Sequence, residues 1–183
     1  MEYRVIRSAR KTLALEIKDG GVLVRAPLRA SDRDIALFVE RHKDWIEKHL
    51  EKAAEREKST ENVKRLTFEE INALADKAMT VIPERIRYFA PLIGVTYGRI
   101  TIRNQRSKWG SCSGKGNLNF NCILMLAPPE VLDSVVVHEL CHLKEMNHSA
   151  KFYAEVLRVF PTYYEQYNWL KKNGPKLMKM SWG

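Results

Sequence analysis

Several features are scarce or missing in this 183-residue sequence, and each absence excludes a class of protein. Cysteine occurs only at 112, 122 and 141, an odd number at uneven spacing, so no disulfide framework is expected. No CxxC pair is present to offer a thiolate metal site. Met1 to Lys11 is basic and lacks the apolar core of a signal peptide, and no apolar run approaches the length of a membrane span. A reducing cytoplasm is therefore the expected location, with no membrane partner. Internal repeats and low-complexity tracts are absent. So are helix-turn-helix patterns, zinc fingers and arrays of alternating aromatic and basic residues, which leaves nucleic acid as a partner supported by net charge alone. That charge is +9, spread along the chain rather than gathered in one tail, and an ordinary cationic surface accounts for it.

What is present is enough for one compact domain with a sizeable core, since 45% of the residues are hydrophobic. The chain is expected to form a single domain over residues 1–183, with an N-terminal hairpin and helix over 1–60 and a core over 67–174. Lys11 to Pro27 reads as the hairpin: Leu13, Leu15 and Ile17 alternate, Asp19-Gly20-Gly21 turns, and Val22, Val24 and Ala26 alternate back. Ser31 is placed to cap one helix whose apolar residues run from Ile35 to Ala53, with His42 and His49 near its apolar stripe as packing residues. Residues 51–65 read as a frayed helix end and a linker. Thr67 and Glu70 form a capping box for a second helix, kinked at Pro83 and stopping before Pro91. Ile100 and Ile102 mark a strand, and 108–112 with 117–122 a second hairpin in which Asn119 and Asn121 form a polar face. Pro128-Pro129 opens a further helix, Asn147 is a left-handed C-cap, Ser149 caps the next helix to Pro161, and a last helix stops at Asn173-Gly174-Pro175.

The residues that carry chemistry lie on the helix after Pro128-Pro129. His138-Glu139-Leu140-Cys141-His142 reads HExxH, with Val135, Val136 and Val137 before it and His148 six positions after. Residues four apart on a helix lie one above the other, so His138 and His142 aim two imidazoles at one point. That is the geometry zinc needs from two ligands, and Glu139 beside them suits a general base. Chance stacking of two histidines is the plain alternative, but such accidents rarely fall on so apolar a helix with a third histidine in range. A catalytic zinc takes three protein ligands and leaves a fourth place for water. Three residues compete for the third position: His148 just past the helix, Glu145 on nearly the same face as His138, and Glu155 on the following helix. His148 is the expected ligand, with Glu155 behind it. The 138, 142, 148 spacing equals that of HExxHxxGxxH, but Glu145 stands where that pattern has its turning glycine, so Asn147 would have to turn the chain. Cys141 is expected to pack rather than ligate. Trp109 and the tyrosines at 153, 163, 164 and 167 can stabilise an oxyanion, line a cleft or fill core. The hairpin at 108–122 can pair with extended substrate or simply support the site helix.

Several strings together give the chain a familiar outline: Arg106-Ser107-Lys108-Trp109-Gly110-Ser111-Cys112-Ser113, Asn117-Leu118-Asn119, Ala127-Pro128-Pro129, Val136 to Leu143, and Asn147-His148-Ser149. With Arg10-Lys11-Thr12, Arg25-Ala26-Pro27 and Trp169-Leu170-Lys171, they resemble the YgjP-like family of predicted zinc metallopeptidases over nearly the whole chain. The resemblance implies an α+β fold, with a small antiparallel sheet packed on a helical, gluzincin-like or SprT-like zincin core. It also implies zinc (Zn2+) on His138, His142 and His148, and a catalytic Glu139. Lys176 to Gly183 lie outside that pattern. The expected function is hydrolysis of peptide bonds in a peptide or protein substrate, through a metal-activated water with Glu139 as general base. The alternative is a nucleic-acid-associated SprT-like protease or binding protein.

Overall fold

The structure, a computed structural model, describes residues 2–60 and 63–182. Contacts divide the chain into two units, Met1–Asn62 and Val63–Gly183. In the first, strands β2 (Ala14–Lys18) and β3 (Gly21–Pro27) form the expected antiparallel hairpin. Asp19 (φ 53°) and Gly20 (φ 73°) supply the left-handed backbone that a two-residue hairpin loop requires. A strand not anticipated from sequence, β1 (Arg4–Ser8), runs parallel to β3 on its other edge, which makes the sheet mixed, in the order β1-β3-β2. Only Val5 of that strand is even half-buried, so no alternating pattern announces it.

The single helix expected after Ser31 is two. Ser31 Oγ accepts the Asp34 N–H at 3.1 Å and caps α1 (Asp32–Arg41). At His42 the backbone leaves helical geometry (φ −110°, ψ 18°) and its N–H turns back to Val39 O, while its ring nitrogen Nδ1 lies 2.7 Å from Phe38 O. α2 (Lys43–Thr60) then continues to residue 60 without fraying at 51; residues 61 and 62 of the expected linker lie outside the described residues. Val22, Val24 and Ala26 of the sheet cluster with Ile35, Val39 and Ile46 of the helices. His42 and His49 take the packing role expected, His49 with its ring stacked on Trp45 and Nδ1 2.7 Å from Trp45 O.

The second unit opens on the capping box: Thr67 Oγ1 accepts the Glu70 N–H, and Glu70 Oε2 accepts the Thr67 N–H at 2.7 Å. α3 (Phe68–Ile93) does not stop before Pro91. It runs through both prolines and ends at Gly94, whose left-handed φ of 78° lets its N–H reach Ala90 O. Phe89, Ala90 and Ile93 are buried in that last turn, and their packing outweighs the missing proline N–H.

The second sheet has the order β4 (Ile100–Arg103), β6 (Leu118–Asn121), β5 (Gly110–Cys112). β5 and β6 pair antiparallel, the expected hairpin, and β4 joins β6 in parallel, so this sheet too is mixed and β5 is its edge. The expected polar face of β6 is half right. Asn119 is half-buried, but Asn121 is fully buried, like Leu118 and Phe120. Asn121 Nδ2 donates to Gln105 O (2.8 Å) and Lys108 O (3.0 Å), and its Oδ1 accepts the Ile123 N–H (3.2 Å). A polar side chain inside the core is thus satisfied by gathering the 103–109 loop onto the sheet.

A 3₁₀ turn over Cys122–Leu126 leads to α4 (Pro129–Cys141), which begins with proline in its first turn and packs on α3, β5, α5 (Ala150–Val159) and α6 (Tyr163–Trp182). Val131, Leu132, Val135, Val136, Val137, Leu140 and Cys141 are all buried, as expected of a helix that is apolar all round. Asn147 is not the helix cap. The helix ends at His142, where Leu143, Lys144 and Glu145 send their N–H groups to Leu140 O, Cys141 O and Cys141 O, so tight turns rather than a left-handed residue reverse the chain. Ser149 Oγ caps α5 as expected. α6 passes straight through Gly174-Pro175 instead of stopping there, because its far end is anchored: Met180 O accepts the Leu66 N–H at 2.8 Å, and Leu177 packs on the core. All three cysteines are free. Among the described residues no helix is long and apolar enough to cross a membrane.

Removing Asn121's side chain strands the part-buried carbonyls of Gln105 and Lys108 and the buried amide of Ile123. Asn121→Ala should cost about 3 kcal/mol of unfolding free energy, whereas Asn119→Ala should stay within about 0.5 kcal/mol; urea denaturation of the two variants measures both.

Candidate metal centre

α4 delivers His138 and His142 one turn apart on the same side, and the tight turns after it bring His148 back over them. One ligand atom from each of the three imidazoles lies within 4.8 Å of the others, and the Nε2 atoms of His138 and His148 stand 3.1 Å apart. Two nitrogens on a tetrahedral zinc at about 2.05 Å would be about 3.3 Å apart. Phe152 of α5, fully buried, lies under all three rings at 4.5 to 5.0 Å between centroids.

Each helical imidazole is oriented by a second group. His142 Nδ1 lies 3.1 Å from Glu145 O; a carbonyl only accepts, so Nδ1 carries the proton and Nε2 keeps its lone pair. The Tyr163 hydroxyl lies 2.8 Å from His138 Nδ1, with the two rings nearly parallel. Tyr163 is buried, and burial raises its hydroxyl pKa well above the usual range. Burial lowers His138 to about 3, with His142 and His148 adding to the effect, and burial lowers His142 as well. Both are therefore neutral imidazoles, the protonation state a metal ligand needs.

Glu139 leaves the helix on a different bearing and meets strand β5. It is 6% exposed. A Cβ placed on Gly110 would lie 2.6 Å from Glu139 Cγ and 2.7 Å from Oε1, so a side chain at 110 would displace that of Glu139. Burial pushes Glu139 up to about 8, held from going higher by the Lys108 ammonium and by the Cys112 N–H. His138, Glu139, His142 and His148 share one concavity of about 270 Å³ with Lys108, Gly110, Cys112 and the exposed Met146.

The other two candidates for the third ligand stand apart from this group. Among the described residues the cluster of ligand atoms contains the three histidines alone. Glu155 gives Oε1 to Lys144 (2.7 Å) and both oxygens to Arg158, which hold its carboxyl down at about 2, Arg158 foremost. Arg158 also donates to Leu92 O at 2.9 Å. Glu155 thus ties the loop bearing His148 to the end of α3. Glu145 contributes its backbone carbonyl, which orients His142.

Cys141 is fully buried in the core, as expected, and burial lifts its thiol to about 12. Of the aromatic residues left open by sequence, Tyr163 is the one that touches a histidine nitrogen. Trp109, Tyr163 and Tyr167 line a second, more apolar concavity beside His138 and Glu139. Sequence reasoning passed over Gly110, Lys108 and Phe152. The signal for Gly110 was available: a glycine inside a strand often marks a close approach of another group. Nothing in the sequence distinguished Phe152 from ordinary core.

Comparison with known proteins gives one family and two structures. The family described as YgjP-like, metallopeptidase domain, matches residues 11–72 and 68–173. The metallopeptidase zymogen of Pyrococcus abyssi abylysin is 23% identical over 50% of this chain and 94% of its own, with a TM-score of 0.46. That of Methanocaldococcus jannaschii jannalysin is 22% identical over 50% of this chain and 95% of its own, also at 0.46. No curated protein matches. With the family match covering residues 11–72 and 68–173, the HExxH helix included, this chain belongs to the YgjP-like metallopeptidase-domain family.

Proposed function

We infer that this chain is a zinc-dependent peptidase that uses His138, His142 and His148 as ligands and Glu139 as general base. The observation that carries this reading is the convergence of three imidazole ligand atoms within 4.8 Å beside a buried carboxylate in the same concavity. The donor set fits zinc: nitrogen donors, two of them neutral and oriented through their second nitrogen, and three in number, which leaves one coordination position open. A bound zinc there supplies Lewis acidity, polarising a carbonyl and making water a nucleophile near neutral pH.

The chain's own residues do the rest. Glu139, buried beside the imidazoles in the same concavity, would as a carboxylate take a proton from the attacking water and release it to the leaving amine. The Cys112 N–H and Lys108 hold Glu139 in place from the strand side. Tyr163 and Glu145 O keep the imidazoles turned towards the common point. β5 is the edge strand beside the groove, the position at which extended substrate can add to a sheet. Nucleic acid has no comparable feature in its favour.

The purified protein should bind about one zinc per chain. His138→Ala and His142→Ala should each abolish that binding, and His148→Ala should weaken it at least about tenfold, all measured by metal titration. Glu155→Gln should leave zinc affinity in place yet lower stability by about 1 kcal/mol at pH 7. Because the folded carboxyl sits near 2 rather than 4.5, that stabilisation is present above about pH 4.5 and fades as pH falls towards 2, where wild type and variant should converge. Loss of zinc in Glu155→Gln together with full zinc in His148→Ala would move the third ligand to the carboxylate.

Glu139→Gln should fold and retain zinc but cut, at least about a hundredfold more slowly, any peptide that the wild type cleaves in a library digest. Near-wild-type cleavage by that variant would remove Glu139 from the mechanism.

A further inference from the structure

Beside the metal centre lies a second chamber of about 200 Å³, and the chemistry described so far gives it no task. His138 and Glu139 form one wall. Val135 of the same helix and Trp109, Tyr163, Tyr167 and Leu170 complete the lining, which is mainly carbon. Val135 and Tyr163 are buried and fixed by the core. Trp109 is fixed by a different device: its indole lies over Gly174 of α6, where an added Cβ would stand 2.9 Å from Cζ2. The wall is therefore built rather than incidental. The chamber shares Lys108, Gly110, His138 and Glu139 with the groove that holds the three histidines, so it opens directly onto the reacting position.

An apolar cavity of about 150 Å³ takes up benzene, so a chamber of this size accepts an isobutyl or benzyl group. A charged side chain entering it would lose its water, a loss that the mainly carbon lining does not offset. We propose that this chamber receives a large apolar side chain from the residue flanking the bond to be cut, with Trp109, Tyr167 and Leu170 setting the preference. The inference rests on the peptidase reading given above and specifies its substrate class.

The test uses zinc-loaded full-length protein and a series of peptide hydroxamates that differ in one side chain: methyl, isobutyl, benzyl or carboxyethyl. The hydroxamate probes the metal, and the side chain probes the chamber. Each buried methylene contributes about fourfold in affinity, so the isobutyl and benzyl compounds should bind at least about tenfold tighter than the methyl one, and the carboxyethyl compound no tighter. Leu170→Trp, which fills the chamber, should erase that gain. Tyr167→Ala, at a half-exposed position where folding is not at stake, should reduce the gain several-fold. Equal binding of all four compounds to zinc-loaded wild type would overturn the inference while leaving the metal centre standing. Zinc uptake without any hydroxamate binding would overturn it too. Failure to take up zinc at all would overturn the peptidase reading, and the inference with it.

Discussion

Where helix α4 meets strand β5, the Glu139 side chain occupies the space that a Cβ on Gly110 would take. That contact gives the carboxylate its place beside the strand. At that point the Glu139 side chain lies against the strand, while the core packing of Val131, Leu132, Val136, Val137, Leu140 and Cys141 holds the helix that carries His138 and His142 into the groove. The same contact removes Glu139 from water and raises its proton affinity, while the Cys112 N–H and Lys108 keep it ionisable. The missing Cβ of Gly110 thus leaves room for the buried carboxylate, while Tyr163 and Glu145 O orient the imidazoles.

Two polar devices then hold the irregular parts of the site to this rigid contact. Asn121, buried inside β6, holds the loop before β5 by its main-chain carbonyls, so Lys108 and Trp109 leave a fixed backbone. Glu155 does the corresponding work for the loop after α4, joining Lys144 to Arg158 and through it to the end of α3. Neither loop belongs to a sheet or helix, so without these partners their backbones would be the least ordered part of the site. Phe152 completes the support with a surface that all three histidine rings touch.

The α+β class, both hairpins, the capping box at Thr67 and the cap at Ser149 were legible in the sequence because each follows from local chemistry. So was the HExxH helix, whose uninterrupted valines mark a buried element. What local reading got wrong has a common cause. Pro91 and the Gly174-Pro175 pair read as stops, yet both helices continue because buried residues and a long-range hydrogen bond hold their last turns. β1 was invisible because an exposed edge strand needs no alternation. Asn121 looked like solvent face because period-two alternation cannot tell a wet asparagine from one whose every polar atom has a partner inside. At the metal centre, spacing brought out His138, Glu139, His142 and His148, but the residues that orient them, Tyr163 and Glu145, come from the far side of the chain or from its backbone. Sequence carries no distance for either.

The hydrogen bond from Leu66 to Met180 O has a consequence of another kind. It joins the first residues of the second unit to its last helix, so that unit begins and ends at one spot on its surface. A protein whose ends meet in this way can be cut open elsewhere and rejoined there by a short linker, or set into a loop of another chain, without stretching its interior. For residues 63–182 the hairpin tip at Ser113 to Gly116 offers such an opening: its backbone closes on itself through Gly116 N–H to Ser113 O, and Gly114 has open space around it. The unit is, in effect, circular in space while linear in sequence, and its order of elements is one of several that the same packing would accept.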